Sequence, residues 1–209
     1  MKRYDIITEA DARQFDVGST VSLNRGGHIT PLALDTLRER RVTLLRDAMD
    51  ADLSSLVPIA DIRRVAIGSD HSGVALKAAI RETLRGTGLA VEDVGTHGTD
   101  AVDYPDIAAQ VAGLVARREA DAGIVIDGAG LGSAIAANKI DGVRAAMCSD
   151  RTLARYAREH NGCNVLALGA TLLTVDEAKA IVQTWLTTPM REPRYVRRLA
   201  KIRNLERTR

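Results

Sequence analysis

The chain has 209 residues, of which 45% are hydrophobic, 27% charged and only 3% aromatic, a composition typical of a soluble globular protein with an aliphatic core. No run approaches the ~18 apolar residues that a membrane span needs, and the opening residues MKRYDIITEADARQFD lack the apolar stretch of a signal peptide. Cys148 and Cys163 form no CxxC pair, which favours free thiols and a cytoplasmic protein.

The formal net charge of +2 is unevenly distributed along the chain. Residues 191–209 contain eight Lys or Arg and two Asp or Glu, a net charge of +6 that leaves −4 for the rest. This basic segment predicts either a helix with a solvated charged face or a surface that binds phosphate or nucleic acid. No aromatic platform accompanies the basic residues, which disfavours nucleic acid.

Residues 1–63 predict a small α/β extension. Ser19–Leu23 alternates like a short strand, and NRGGHITP has the composition of a turn-rich loop. Thr30 is a candidate N-cap with Pro31 in the first helical position, and the helix leads to a short strand, VTLL. A segment of this size buries little core alone, so we expect it to dock on another surface. Residues 54–64 have the composition of a linker.

From residue 64 onward, apolar strands alternate with amphipathic helices. The strands are RVAIGSD, AVEDVG, AGIVID, VRAAMCS and VLALGA, each followed by a helical pattern. This alternation predicts a parallel sheet covered on both faces, with ligands at the carboxyl ends of its strands. Those ends carry Asp70 and His71, Asp127, and Ser149 with Asp150.

A glycine-rich loop follows the third of these strands, in VIDGAGLGSAIAANK. Gly128, Gly130 and Gly132 lead into a helix, so backbone N–H groups there could hold a phosphate or a developing oxyanion. The same spacing also occurs where a strand and a helix pack tightly. No GK[ST] follows, and the glycine spacing does not fit a dinucleotide fingerprint.

Five segments together resemble the ribose-5-phosphate isomerase B family, which includes the galactose-6-phosphate isomerase subunits. They are GSDHSGVALK, DYPDIA, GAGLGSAIAANKIDGVRAAMCSD, AREHNGCNVLALGA and REPRYVRRLAKI, in order over about residues 64 to 203. The resemblance implies a Rossmann-like αβα sandwich with a five-stranded parallel sheet over residues 64–209. It also implies a homodimer or tetramer whose active site is shared between subunits, a sugar phosphate as substrate, and no metal or other cofactor.

The resemblance assigns roles to individual residues. Aldose–ketose isomerisation moves a proton between C1 and C2 of an open-chain sugar through an enediolate. His160 matches the histidine for ring opening, and Asn161 stands beside it. Asp70 and His71 match a pair that contacts the sugar. From the residues alone, Asp70 and His71 are equally a strand-end cap and a surface histidine, and His160 a helix-end histidine.

Further positions match the groups that bind the substrate. Arg194 and Arg198 match two arginines that bind the phosphate. The planar guanidinium group suits this role because it makes paired, charged hydrogen bonds. Lys77, Asp103 and Tyr104 match supporting positions. The anion hole for the enediolate matches the loop that follows Asp127: Gly128, Ala129, Gly130, Leu131, Gly132 and Ser133.

The chain departs from the family where the base is expected. Many members have a cysteine at the position of Asp127, and others use a glutamate at the position of Ser133. Asp127 is the only proton acceptor at either position here, so we expect it to be the base. Ala129 replaces a usual Ser or Thr, Thr171 stands where one branch has a third arginine, and Tyr195 replaces a common His. These changes bear on the sugar more than on the reaction.

Two functions remain open from the sequence. One is an isomerase for a sugar phosphate of four to six carbons, with ribose 5-phosphate and ribulose 5-phosphate among the candidates. The other is a sugar-phosphate-binding subunit that is inactive alone or needs a catalytic partner, with Asp127 only capping the loop. The segment GGHITPLALDTLRERRVTLL also resembles short segments on enzymes of bacterial microcompartments, although a dimer-clasping arm is the simpler interpretation.

Overall fold

A computed structural model describes residues 3–46, 56–190 and 193–206, with the backbone alone at residues 3, 25, 26, 45, 46, 193 and 194. The chain forms two compact units, residues 1–55 and 56–209. The first contains strand β1 (Arg3–Ile7), helix α1 (Glu9–Gln14), strand β2 (Thr20–Ile29), helix α2 (Pro31–Glu39) and strand β3 (Thr43–Arg46). Its three strands form a parallel sheet in the order β1-β2-β3. The small α/β extension is therefore confirmed.

Thr30 caps α2 as predicted, since its side chain accepts a hydrogen bond from the Ala33 N–H and Pro31 follows in the first turn. The turn-rich loop predicted over NRGGHITP is wrong, because β2 continues to Ile29. Pairing with β1 explains the difference: Ile6 and Ile7 lie opposite His28 and Ile29, beyond a shift in register. The strand β1 and helix α1 were not predicted.

The second unit contains the predicted five-stranded parallel sheet. Its strands are β4 (Arg64–Ser69), β5 (Ala90–Asp93), β6 (Ala122–Asp127), β7 (Ala145–Met147) and β8 (Val165–Gly169). They lie in the order β5-β4-β6-β8-β7, and every pair is parallel. The helices are α3 (Val74–Gly86), α4 (Tyr104–Ala116), α5 (Leu131–Ala137), α6 (Arg151–Glu159), α7 (Val175–Thr187) and α8 (Pro193–Glu206).

Helices cover both faces of this sheet. Alternate residues of β6 point to opposite sides: Ile124 and Ile126 pack with α3, α6 and α7, whereas Val125 packs with α4 and α5. Such two-sided burial explains why the strands are continuously apolar. The arrangement confirms the Rossmann-like αβα sandwich.

The residues before β4 group with the second unit. Arg144 Nη2 donates to the Leu56 carbonyl at 3.0 Å, and Arg158 Nη2 donates to the Ile59 carbonyl at 2.9 Å. Arg158 is buried beneath the Trp185 ring, 4.9 Å from its centroid, and burial lowers the pKa of its guanidinium to about 10. The compact unit thus starts at residue 56 rather than at the predicted domain boundary of 64.

A buried ion pair holds the carboxyl end of β5. Lys77 Nζ lies 2.5 Å from Asp93 Oδ1 and donates to the Thr96 carbonyl at 2.8 Å. Burial by itself raises the pKa of the Asp93 carboxyl, but the Lys77 and Gly95 hydrogen bonds and nearby positive charge outweigh it and hold that pKa below its ordinary value. Gly95 and Thr96 in turn pair with the backbone of Ser69, the residue before Asp70. The ion pair therefore supports the end of β4.

We expect Lys77→Met to lower the free energy of unfolding of this unit by about 2 kcal/mol at pH 7, because a buried carboxylate loses its main partner. Unfolding in urea, followed by the fluorescence of Trp185, the single tryptophan, measures it. Because the pKa of Asp93 is lower in the folded state, its contribution is present above the unfolded pKa of ~3.9 and is lost as the pH falls through the folded value.

The difference between wild type and Lys77→Met should therefore shrink at pH 3. Arg81→Met is the matched control, since Arg81 pairs with the same carboxylate from a more exposed position and should cost only about 0.5 kcal/mol. A loss for Lys77→Met that is the same at both pH values would contradict the assignment.

Candidate active site

Two loops meet at the carboxyl edge of the second sheet. One follows β4 and contains Asp70 and His71, and the other follows β6 and begins at Asp127. They are neighbours because β4 pairs with β6, and the Asp70 N–H donates to the Ile126 carbonyl at 3.0 Å. A Cβ added to Gly128 would lie 3.8 Å from the Ser72 hydroxyl. The structure therefore brings these predicted residues together.

Asp70 caps the short 3-10 helix His71–Gly73 at the end of β4. Its Oδ1 accepts hydrogen bonds from the Ser72 N–H at 2.9 Å, the Ser72 hydroxyl at 2.6 Å and the Gly73 N–H at 3.2 Å. Its Oδ2 makes no hydrogen bond with the described residues. His71 is exposed, and its Nδ1 accepts from the Val102 N–H at 3.4 Å. Asp70 is buried, and one of its oxygens has no hydrogen-bond partner among the described residues, whereas the His71 side chain is accessible to solvent.

Asp127 is buried, and its carboxylate is tied to the loop that it begins. Oδ1 accepts from the Ala129 N–H at 2.9 Å and from the Gly130 N–H, and Oδ2 accepts from the Ser133 N–H at 2.8 Å. Three of the donors predicted for an anion hole thus point to the side chain of Asp127. The carboxylate caps both the loop and α5.

Close backbone contacts fix the rest of this loop. Gly130 has a φ of +76°, and a Cβ there would lie 2.8 Å from the Leu168 carbonyl carbon. Gly169 lies opposite Asp127, and a Cβ there would lie 2.8 Å from the Ala129 backbone. The Thr171 hydroxyl donates to the Gly128 carbonyl at 2.6 Å. The glycines therefore serve tight strand–loop packing as well as any ligand.

Two donors of the predicted anion hole remain open. The N–H groups of Leu131 and Gly132, in the first turn of α5, make no hydrogen bond within the described part of the chain. The ring of Tyr104 lies against Gly132, where an added Cβ would overlap it. Tyr104 opens α4, so it forms one wall beside these two donors.

Neither cysteine replaces a missing thiol in the loop. Cys148 and Cys163 are both buried. Burial raises the pKa of the Cys148 thiol to about 12 and that of Cys163 to about 11. Both are therefore uncharged near neutral pH and lack the nucleophilic thiolate form.

A second group of predicted residues lies at the end of α6. His160 is the C-cap of this helix, and its half-buried imidazole contacts two tyrosine rings. The centroid of the Tyr156 ring is 4.6 Å away and that of Tyr195 is 4.7 Å away. Asn161 is exposed, and its Nδ2 donates to the Tyr156 carbonyl at 3.1 Å.

The basic C-terminal segment forms α8 next to this histidine. Arg198 is exposed, and its Cζ lies 5.8 Å from the centroid of the Tyr195 ring. Arg194 belongs to the first turn of the same helix, but its side chain lies outside the described residues. Arg198 and His160 therefore both lie next to the Tyr195 ring.

The two groups do not meet within one copy of the unit. Helix α6 connects the carboxyl end of β7 to the amino end of β8, so His160 lies near the amino edge of the sheet. Asp127 pairs with Gly169, four residues after the start of β8, which separates the groups by about 13 Å along the strands. Asp127 and His160 therefore occupy opposite edges.

The described residues contain no group of three or more His, Cys, Asp or Glu side chains that could hold a metal ion. Within the same ranges, no helix is long and apolar enough to cross a bilayer.

Comparison with known proteins places this unit in a family. Residues 65–202 match the model of the ribose/galactose isomerase family. The ribose-5-phosphate isomerase B of Escherichia coli K12 is 41% identical over 148 residues, which are 71% of this chain and 99% of that protein.

Solved structures agree with this match. The ribose-5-phosphate isomerase B of Clostridium thermocellum is 47% identical, with a TM-score of 0.69 over 69% of this chain and 98% of that one. The enzyme of Mycoplasma genitalium, solved with bound ribulose-5-phosphate, is 38% identical, with a TM-score of 0.68 over 70% of this chain and 97% of that one. The chain belongs to the ribose/galactose isomerase family. It is therefore a sugar-phosphate isomerase by class, an intramolecular oxidoreductase.

Sequence reasoning missed the aromatic stack around His160. Tyr156 and His160 are four residues apart on a helix, a spacing that places side chains on one face, so this contact had a visible signal. The contact with Tyr195 joins α6 to α8 and had no local signal. The capping of the loop by Asp127 was one of the two alternatives left open.

We expect Asp127→Ala to lower the free energy of unfolding by about 3 kcal/mol, because it removes the acceptor of three N–H groups, two of them in buried bonds. Asp150→Ala is the matched control. It removes a carboxylate that caps α6 through the Thr152 and Leu153 N–H groups at an exposed position and should cost about 1 kcal/mol. Equal losses, measured by urea unfolding, would show that the loop does not depend on Asp127.

Proposed function

We propose that this protein interconverts an aldose phosphate and a ketose phosphate of four to six carbons through an enediolate, with Asp127 as the base. The observation that carries the proposal is the position of the Asp127 carboxylate. It lies at the loop next to Asp70, His71 and the open N–H groups of Leu131 and Gly132. The relatives named above act on or bind five-carbon sugar phosphates, which makes ribose 5-phosphate and ribulose 5-phosphate the first substrates to test.

The carboxylate has the coordination that a base requires. Oδ2 accepts a single N–H, from Ser133, so one of its lone pairs remains available for a proton. Its hydrogen bonds fix its position, and a base that is held in place transfers protons efficiently when the substrate lies within reach. The carboxylate is shorter than a glutamate, so the substrate has to approach the end of β6 closely.

The reaction is a proton transfer between neighbouring carbons. Asp127 removes the proton from C2 of the open-chain aldose, and the C–H electron pair forms the C1=C2 bond while the carbonyl electrons move to O1. The open N–H groups of Leu131 and Gly132 lie where they could stabilise the resulting oxyanion. The proton returns to C1 and the O2 proton moves to O1, which leaves a ketose.

The residues around His160, at the amino edge of the sheet, supply ring opening and phosphate binding. We assign ring opening to His160, with Asn161 beside it, and phosphate binding to Arg198 and Arg194. His160 and Asp127 of one copy lie at opposite ends of the strands of one sheet. They are therefore too far apart to act on the same sugar phosphate. A complete site therefore combines the carboxyl edge of one copy with the amino edge of another, in a homodimer or in a tetramer built from such pairs.

One observation favours a second function, a sugar-phosphate-binding subunit without a base of its own. The three N–H groups bound to Asp127 engage its carboxylate in capping the loop, and they are donors that an enediolate would use. In that case the chain binds the sugar phosphate through Asp70, His71 and Arg198. Catalysis then requires a related subunit that carries its own base.

Deuterium exchange distinguishes the two functions. Wild type, Asp127→Asn and Asp127→Cys are each incubated in heavy water with ribose 5-phosphate and ribulose 5-phosphate, then with four- and six-carbon sugar phosphates, and C1 and C2 are followed by NMR. If Asp127 is the base, wild type incorporates deuterium and Asp127→Asn loses about 10²–10⁴-fold in rate. Asp127→Cys, which introduces the thiol common in the family, retains exchange.

Asp150→Asn is the matched control, since it changes a capping carboxylate away from the loop and should leave exchange unchanged. Exchange by wild type and Asp127→Asn at the same rate would retain the isomerase and remove Asp127 from it. Exchange by Asp127→Cys alone, with sugar-phosphate binding by wild type, would show that this chain is the binding subunit.

A further inference from the structure

We infer that Tyr195 is a positioning residue that holds the imidazole of His160 in the plane needed for ring opening, an inference that rests on the proposed function. Tyr195 contacts the ring of His160, and in this role it does not touch the sugar. Three features of the stack formed by Tyr156, His160 and Tyr195 support this role. They are the geometry of the ring contacts, the different burial of the two tyrosines and the charged groups next to the rings.

The imidazole contacts two tyrosine rings. The Tyr156 ring is nearly parallel to it, at 16° with a centroid separation of 4.6 Å. The Tyr195 ring is tilted by 33° from it, with a centroid separation of 4.7 Å. Aromatic rings at these distances attract one another in addition to the gain from their buried area. Two such contacts restrict the rotation of the imidazole.

The two tyrosines differ in how firmly they are held. Tyr156 lies one turn before His160 on the same helix and is 40% exposed. Tyr195 comes from α8 and is 7% exposed, followed by Leu199 and Ala200, which are also buried. A Cβ on Gly162 would lie 2.7 Å from Leu199 Cδ1, so α8 packs closely on the turn after His160. Tyr195 is therefore held more firmly than Tyr156.

Two guanidinium groups and one carboxylate adjoin the stack. Arg155 Cζ lies 4.9 Å from the Tyr156 centroid and Arg198 Cζ 5.8 Å from that of Tyr195. The Glu159 carboxylate lies 3.9 Å from His160 Nε2. A cation near an aromatic ring is attracted to it, so both guanidinium groups help to hold the tyrosine rings. Tyr195 thus links His160 to Arg198, a residue we assign to phosphate binding.

Ring opening depends on orientation. A proton leaves the anomeric hydroxyl while another reaches the ring oxygen, so the catalytic nitrogen has to lie beside both atoms. A group that performs such transfers has to be held within about 0.5 Å and 10–20°. The tyrosine at position 195 offers a larger ring for this contact than the histidine common in the family at that position.

Two sugar phosphates separate ring opening from proton transfer. Ribose 5-phosphate closes into a ring through O4. Ribulose 5-phosphate has its C5 oxygen phosphorylated and remains open-chain, so deuterium exchange at its C1 needs no ring opening. We expect Tyr195→Leu to lower kcat for ribose 5-phosphate by about 10–100-fold. KM for that substrate and exchange into ribulose 5-phosphate should stay within about threefold, the range of a change smaller than 1 kcal/mol.

Tyr195→Phe is the conservative variant, which keeps the ring and should restore kcat for ribose 5-phosphate to within about threefold of wild type. His160→Gln should show the same selective loss, and combining it with Tyr195→Leu should add no further loss, because both changes act through one group. The fluorescence of Trp185 verifies that each variant is folded.

Equal losses of kcat and of exchange in Tyr195→Leu, or equal behaviour of the Leu and Phe variants, would overturn the inference while leaving the isomerase in place. Absence of both reactions in wild type would refute isomerisation of these sugars, and the inference with it. The two failures are therefore distinguishable.

Discussion

The carboxyl edge of the second unit depends on one carboxylate. Asp127 ends β6 and accepts hydrogen bonds from three backbone N–H groups of the loop and of α5. These bonds set the course of a loop that has to pass within contact distance of Gly169 and adopt a left-handed conformation at Gly130. The same bonds hold the carboxylate at the end of β6, the strand that pairs with the one before Asp70 and His71, and leave two N–H groups of α5 open. Structural support and the proposed chemistry therefore compete for one side chain.

Sheet topology decides what that carboxylate can reach. In a parallel sheet, each crossover helix returns the chain to the amino edge. His160 lies at that edge because it ends α6. Arg198 on α8 follows it, through the stack with Tyr195. The proposed proton-transfer group consequently lies at one end of the strands. The proposed ring-opening and phosphate-binding groups lie at the other end. Association of two copies is thus a requirement of the proposed chemistry.

Much of the fold followed from the sequence. Continuous apolar strands such as AGIVID predicted a sheet covered on both faces, and Thr30 with Pro31 predicted the start of α2. The errors have physical causes. The second half of β2 is formed by pairing with β1 rather than by local propensity, and its glycine is required because a Cβ on Gly27 would lie 2.7 Å from Leu23.

The sequence predicted which residues form the candidate site better than it predicted how they are arranged. Strand-end positions indicated that Asp70, His71 and Asp127 would meet, because the carboxyl ends of parallel strands share an edge. The hydrogen bonds that hold the Asp127 carboxylate depend on the conformation of the loop, which spacing alone does not specify. The contact of Tyr195 with His160 joins distant segments and left no periodic pattern. Association of residues 1–63 with a protein shell, or with a partner copy, stays a prediction.

The central claim is that a complete site uses opposite edges of two copies, and mixing two variants that are each impaired in isomerising ribose 5-phosphate tests it most directly. His71→Gln damages the carboxyl edge and His160→Gln the amino edge. When the two are unfolded, mixed in equal amounts and refolded, random pairing gives dimers with one intact site and should restore about 25% of wild-type isomerase activity. Activity that remains at the average of the two separate variants would show that each site lies within a single copy, contrary to this account.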